Sequence, residues 1–495
     1  MLRQSAGRRA KSTAARAWDD IPTAPEYGFG PFKSSGLYFI RNNGLRVTYE
    51  RFQTLHRELG PIFKLRFAPF TPYLVSVADP EATALVCRTE GAMPQRHLFP
   101  AWTLYRQQRQ WPMATSNTNV FAEWKKSRAS MSENLLQMHN VPAWIGRIDD
   151  VAKDVVARIA TEAQHGAPVA VTNIMKAFAL EAVSSLVFGK RMGCLSPDPS
   201  TPIPPAAQAF IDAVDGFFDT TQQLHIIPPE VPTWIYPYVP AYRAHAAHCD
   251  YIFDLGYQLM RDKIACTDAS PEPDLLSTFL QRPELDEREA ISLAIDVLFA
   301  GVDTTGNTLL WTMYCLATAP NGREMQARIR DEIGSGPMDE AALTRLSYLR
   351  ACVKETLRLY PSATPNQRYA GDDVTLAGYQ VPKGTSVLMA TYTMSRDPDI
   401  FEHPEVFAPE RWMDREKKDA DNRKQQAYST LPFGIGARSC VGRRLAETEM
   451  YLLLAHLLRE MEIQWIPNEA HPKGILRLLI VPDKPLSFRF QPWSS

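Results

Sequence analysis

The stretch Phe433-Gly434-Ile435-Gly436-Ala437-Arg438-Ser439-Cys440-Val441-Gly442 decides how this 495-residue chain is read. A lone cysteine is usually a small buried hydrophobe. That reading serves for Cys87, Cys194, Cys249, Cys266, Cys315 and Cys352. Cys440 differs in its surroundings. Gly434, Gly436 and Gly442 allow tight turns that bring amide N–H groups toward the sulfur. A helix is expected just beyond, and its N-terminal partial positive charge favours a thiolate. Arg438 offers a fixed cation to a nearby carboxylate. An activated nucleophile also fits these features, but it needs a base. The nearest histidines are His403 and His456, and His456 lies in an apolar helix where a satisfied core residue is the plainer reading.

Outward from this loop, the seven cysteines are odd in number and form no C-x-x-C pair. That argues for a reducing compartment, and against a disulfide framework or a cysteine-rich zinc site. The chain is 45% apolar and 22% charged, with a formal net charge of -1. It is globular in composition, and nothing global points to nucleic acid. Met1 to Ala17 carry Arg3, Arg8, Arg9, Lys11 and Arg16, with no acid before Asp19. This is the pattern of a mitochondrial transit peptide, against which stands a frayed basic tail. Residues 1–30 are therefore expected to be transit peptide and leader, and 31–495 one large domain. No run of roughly 20 apolar residues is present to span a bilayer.

Short strands are expected at Ile62–Leu65 and Leu74–Val77, a strand-rich patch over Val374 to Thr393, and a final pair at Ile475 to Val481 and Leu486 to Phe490. Helical patterns fill most of the rest, including a long central helix from about Glu289 to Thr318 and an apolar helix after Gly442. The fold class is mainly α with a minor β region. Leu224 to Tyr238 joins Trp234, Ile235, Tyr236 and Tyr238 to four prolines. Such a loop suits either a lipid interface or packing on its own core.

The pattern F-x-x-G-x-R-x-C-x-G resembles the haem-binding loop of the cytochrome P-450 superfamily. Three further motifs resemble that family in the right order. They are Trp124-x-x-x-Arg128, Ala300-Gly301-Val302-Asp303-Thr304-Thr305, and Glu355-Thr356-Leu357-Arg358 with Pro409-Glu410-Arg411-Trp412. The resemblance covers nearly all the chain from about Phe52. It implies a single helical domain around haem b (iron protoporphyrin IX), with Cys440 as axial ligand to iron and Phe433 shielding the sulfur. Trp124, Arg128, Arg368 and Arg438 would hold the propionates, whose charges are costly to bury unpaired.

By the same resemblance, Thr304 would hydrogen-bond oxygen at the iron and Asp303 would help bring in protons. Gly301 costs about 1 kcal/mol in a helix relative to Ala, and the resemblance explains it as room for oxygen beside a locally distorted helix. Read without the resemblance, Asp303-Thr304-Thr305 is an ordinary polar helix face with hydroxyls bonded back to carbonyls. Glu355 and Arg358 fall opposite the stripe Val353, Thr356, Leu357 and Tyr360, so periodicity makes them a solvated pair. The resemblance instead implies that both are buried with Arg411.

Arg350 and Lys354 share a helix face, and Arg443 and Arg444 stand at a helix N-terminus, where cations are unfavourable. They are either solvated surface charges or a docking patch for an acidic redox partner. The run Cys-Val-Gly-Arg-Arg-Leu-Ala-Glu and the stretch from Tyr105-Arg106-Gln107-Gln108-Arg109 to Trp124 are similar to mitochondrial steroid hydroxylases, the steroid 11-beta-hydroxylase and cholesterol side-chain-cleavage branch above all. That likeness implies a 2Fe-2S ferredoxin of adrenodoxin type as electron donor. It also implies a peripheral place on the matrix side of the inner mitochondrial membrane.

Leu98, Phe99, Trp102, Phe217, Phe218, Leu224, Leu298 and Leu476 are the expected lining for a large apolar substrate, a sterol or steroid. Pro365-Asn366 departs from the more apolar residues of the steroid enzymes at this place. The alternatives are a thiolate-haem isomerase or peroxide-driven enzyme, and a non-catalytic haem carrier or sensor.

Overall fold

The computed structural model describes residues 15–493 apart from 92, 138–139, 226, 228–230, 266–273, 365 and 414–418. Its axis is the helix Glu287–Thr318. Asp286 caps it by accepting from the Glu289 amide, and the Glu289 side chain accepts from Asp286 N–H in return. This reciprocal capping box satisfies two amides that a helix start leaves open. The helix is apolar nearly all round and correspondingly buried, as Ile295, Leu298, Val302, Leu309 and Leu316 illustrate. It ends where Ala319, extended ahead of Pro320, stops propagation.

Helices Val171–Val187, Pro205–Leu224, Pro240–Ala265, Ser347–Leu359 and Arg443–Glu460 pack around this axis. A smaller lobe holds a four-stranded sheet in the order Ile62–Leu65, Leu74–Val77, Ser386–Met389, Asn366–Tyr369, with the middle pair parallel. The expected strands at 62–65 and 74–77 are found with those bounds. The stretch 374–393 divides into Val374–Leu376, Tyr379–Val381 and Ser386–Met389, then a helical turn.

The C-terminal strands differ from expectation. Ile475 to Val481 is not one strand but a hairpin, Gly474–Arg477 against Leu479–Pro482. Leu478 turns it, at φ 61. Ser487–Pro492 pairs with Met461–Gln464 and Val169–Ala170 instead.

The transit-peptide segment lies mostly outside the described residues. From Arg16 the chain is packed on the small lobe: Arg16 bridges to Tyr379 and Thr23 to Lys64, while Ile21 and Ala24 are buried. Among the described residues no helix is long and apolar enough to cross a membrane. Within the proline-rich loop, Tyr236 is buried, whereas Trp234 is 69% and Tyr238 77% exposed. The loop therefore has one ring in the core and two rings outside it.

Candidate haem-thiolate site

The loop around Cys440 turns on two glycines. Gly434 and Gly436 have φ of 67 and 73, in the left-handed region that favours glycine. Gly436 is also crowded, since a Cβ there would stand 2.8 Å from a Glu90 carboxylate oxygen. Gly442 has an ordinary φ of -85 and serves as N-cap of Arg443–Glu460. The Cys440 amide donates to the Phe433 carbonyl at 2.7 Å, closing the loop. Arg128 donates to the Ser439 carbonyl at 2.7 Å and so holds the loop from the facing helix. The Arg443 guanidinium lies 5.4 Å above the Phe433 ring.

Cys440 has an accessible side chain, yet burial pushes its thiol pKa up, against the Gly442 amide and Arg128, which lower it. Both hold for a sulfur that opens onto enclosed space rather than bulk water. The central helix has a matching strip. Ala300 is exposed and Gly301 and Thr304 are part-exposed, though the helix around them is buried.

Four arginines crowd the neighbouring region. Arg438 donates to the carbonyls of Pro94, Thr115 and Thr118, and its guanidinium lies 4.7 Å over the Trp124 ring. Arg368 is buried and paired with Glu90 at 2.8 Å. Arg96 donates to the Arg438 carbonyl. Burial, with Arg368 and Arg438 adding, pushes Arg96 down to about 9, and burial with Arg368 and Arg128 lowers Arg438 to about 10. Among the described residues, Glu90 is the carboxylate acting on both Arg96 and Arg438. The buried Trp124 Nε1 and Arg96 Nε have no hydrogen-bond partner among the described residues. Orphaned donors beside excess positive charge are what a pair of carboxylates would satisfy. The residues fit haem propionates on that ground.

Asp303 is buried, with Lys176 Nζ 3.2 Å from its carboxylate, and Lys176 also binds Asp215. Burial raises the Asp303 pKa, and Asp215 adds to the rise against Lys176. Thr304 Oγ1 donates to the Ala300 carbonyl at 2.8 Å, the ordinary helical back-bond. The helix runs unbroken through Gly301. A Cβ at Gly301 would meet Val183 Cγ2 at 2.6 Å. Close packing on Val171–Val187 is therefore a reason of its own for this glycine.

Glu355 and Arg358 overturn the reading from periodicity, since both side chains are fully buried. Arg358 donates twice to Glu355, at 2.8 and 2.9 Å, and also to the carbonyls of Ser395, Pro404 and Val406. Arg411 and the Trp412 indole complete the ring of donors on Glu355. Burial raises the Glu355 pKa, but its bonds to Arg358 and the charge of Arg411 outweigh this and leave it lowered.

Among the charges read as a docking patch, Arg350 and Arg443 are exposed and Lys354 and Arg444 half-buried. Lys354 Nζ sits 3.8 Å over the Trp412 ring, Arg443 pairs with Glu447, and Arg444 donates to the Leu136 carbonyl. The other cluster, Trp102 against Phe217 and Phe299, forms an aromatic wall beside the central helix. His456 is bonded to Asp149 at 2.5 Å, as a satisfied core residue should be.

Residues 36–490 match the family model Cytochrome P450. The chain belongs to the cytochrome P450 family. It is a monooxygenase of this haem-dependent family. The chain is 30% identical to a mitochondrial sterol 26-hydroxylase of Rattus norvegicus, over 93% of this chain and 87% of that protein. It is 30% identical to the mitochondrial cholesterol side-chain cleavage enzyme of Equus caballus, over 98% and 92%. A mitochondrial 25-hydroxyvitamin D-1 alpha hydroxylase of Homo sapiens is 31% identical, over 99% and 96%. The solved haem domain of cytochrome P450DA shares the fold, with TM-score 0.76 at 20% identity over 97% of this chain and 99% of that one.

Glu90, Arg96 and Lys176 were not singled out for these roles from sequence. Each lies outside the recognised motifs and enters the site only through tertiary packing. Glu449 is a further case. It is buried, and burial raises its pKa to about 8 against the neighbouring Thr305 hydroxyl, which lowers it.

Proposed function

We propose that this P450 enzyme inserts one oxygen atom from O2 into a sterol or steroid, using electrons from a 2Fe-2S ferredoxin of adrenodoxin type. The observation that carries the reading is the accessible Cys440 sulfur, flanked by Arg96, Arg128, Arg368 and Arg438, four cations near the single carboxylate of Glu90. Haem b, held by Cys440, supplies the iron at which oxygen is reduced when the group is bound. Arg128, Arg368, Arg438 and Trp124, with Arg96 added, bind and orient its propionates. Phe433 excludes water from the sulfur. Thr304 holds a proton at Oγ1, and Asp303 passes protons inward from the Lys176 and Asp215 side. Glu355, Arg358 and Arg411 lock the backbone of the 395–411 region.

The names of the relatives support a sterol or steroid substrate, and the wall of Trp102, Phe217 and Phe299 suits an apolar one. Arg350, Lys354, Arg443 and Arg444 are the charges assigned to ferredoxin docking. Exposed Phe29, Phe70, Trp234 and Tyr238 favour peripheral membrane contact. The relatives' mitochondrial names favour a mitochondrial place, and the matrix side of the inner membrane is the location this reading gives the enzyme.

The test is reconstitution with a ferredoxin, its reductase and a sterol and steroid panel under isotope-labelled O2. One labelled oxygen in the product is expected. Turnover supported only by hydroperoxide would overturn the reading in favour of a peroxide-driven enzyme.

A further inference from the structure

We propose that Lys176 and Asp215 are positioning residues for proton supply: Lys176, shared between two carboxylates, leaves a proton on Asp303, and Asp215 renews that proton from solvent. This rests on the inward relay given to Asp303 above and adds which residues load it.

The three side chains come from three helices. Lys176 lies on Val171–Val187, Asp215 on Pro205–Leu224 and Asp303 on the central helix. Gly306, one turn beyond Asp303, lets the helices approach, since a Cβ there would stand 3.4 Å from Lys176 Cα. Lys176 is 5% exposed and Asp303 2%. Lys176 Nζ binds the Asp215 carboxylate directly and stands 3.2 Å from Asp303 Oδ1. Asp215 is a hydrogen-bonding neighbour of Asp303 as well. Its own side chain is 28% exposed, so it is the member that solvent reaches.

Two buried carboxylates against one ammonium leave an excess negative charge, and such a charge is costly away from water. One proton held between the carboxylates removes it, as in other pairs of close carboxyl groups. The surroundings decide which one carries it. Asp215 has a second cation, because Arg477 Nη1 lies 4.0 Å from its carboxylate and Nη2 donates to its backbone carbonyl. Arg477 also reaches Asp219 at 3.3 Å. Among the described residues, the cation at Asp303 is Lys176, which it must share. His248 of Pro240–Ala265 lies against Gly216 and Asp219, and Glu449 of Arg443–Glu460 stands at Thr305. The proton therefore falls to Asp303, whose pKa is pushed up to about 7, by burial first and by Asp215 against Lys176. When Asp303 gives its proton inward, Asp215 takes one from water and passes it on. Only O–H bonds form and break, and the trio returns to its starting charge.

Infrared spectra of the ferric holoprotein, titrated without substrate, isolate the Asp303 carboxylic acid as the band that Asp303→Asn lacks. It should fade as pH rises through about 7. Asp215→Asn gives Lys176 wholly to Asp303 and removes a like charge, so the midpoint should fall by roughly one to three pH units. Asp215→Glu should restore it, and Lys176→Met should raise it. The carbon monoxide spectrum of each reduced variant checks that the haem site is intact. An unmoved or raised midpoint in Asp215→Asn would overturn the assignment. So would an unmoved or lowered one in Lys176→Met, a result that does not depend on Asp215→Asn folding. In the ferredoxin system with the steroid panel, Asp215→Asn should lose product to hydrogen peroxide at neutral pH and recover at lower pH. Wild-type yield at every pH would also overturn the assignment and leave the steroid reading standing. Midpoints that move as expected, with no steroid turned over by the wild type, would keep the trio and overturn the steroid reading.

Discussion

Arg128 donates from Nη1 to the carbonyl of Ser439 at 2.7 Å, tying the helix Phe121–Leu135 to the residue before Cys440. The same guanidinium reaches the Ser439 hydroxyl at 3.4 Å. One cation thus holds the ligand loop while standing beside donors that still lack an anion.

Arg128→Ala should therefore weaken haem retention. Losing one charge-assisted bond corresponds to about 1.5–3 kcal/mol, or roughly tenfold to a hundredfold in affinity. Haem content after gel filtration, and transfer of haem to an acceptor protein, measure it. Unchanged retention would remove Arg128 from the haem-binding set.

Glu355→Gln should cost far more in stability than a surface substitution. It leaves Arg358 and Arg411 facing a neutral amide in a fully buried site. Breaking a buried pair from one side costs about 3–5 kcal/mol. Urea unfolding should show it, and a loss below about 1 kcal/mol would return the pair to the solvated role that periodicity gives it.

Glu449 sets a pH dependence. Its folded pKa is raised by burial from 4.5 to about 8. The folded state therefore favours the protonated acid. Its stability contribution is complete below about pH 4.5 and is lost as pH rises toward 8. Glu449→Gln should remove that loss, gaining on the order of 5 kcal/mol over wild type at pH 9 and little at pH 4.5. Unfolding midpoints across pH measure the difference. Parallel curves would contradict a buried, protonated Glu449.

Gly301→Ala should destabilise by about 1–3 kcal/mol through overpacking. The clash is with Val183, so Gly301→Ala combined with Val183→Ala should recover most of the loss. A double-mutant cycle reads this coupling directly. Additive losses would show that helix packing is not the reason for the glycine.

Much of this was legible in the chain. The Cys440 loop, Trp124, Arg128 and the Asp303-Thr304 pair are local patterns, and short spacing carries them. The strands at 62–65 and 74–77 were readable because apolar runs lie between turn residues. What was not legible depends on distant partners. Glu355 looks solvated by helical period because nothing nearby reveals Arg411 or the carbonyls of residues 395–406. Glu90 and Arg96 belong to no motif, and only the fold brings Glu90 to Gly436 and Arg96 to the Arg438 carbonyl. The C-terminal hairpin was missed because Leu478 takes a left-handed turn that a leucine seldom signals.

The carbon monoxide spectrum of the reduced holoprotein, with Cys440→His beside it, tests the central claim most directly. Thiolate ligation by Cys440 predicts the absorption of a thiolate-bound haem in the wild type and its loss in the variant. A wild-type spectrum of histidine-ligated haem, or a protein that takes up no porphyrin, would contradict it.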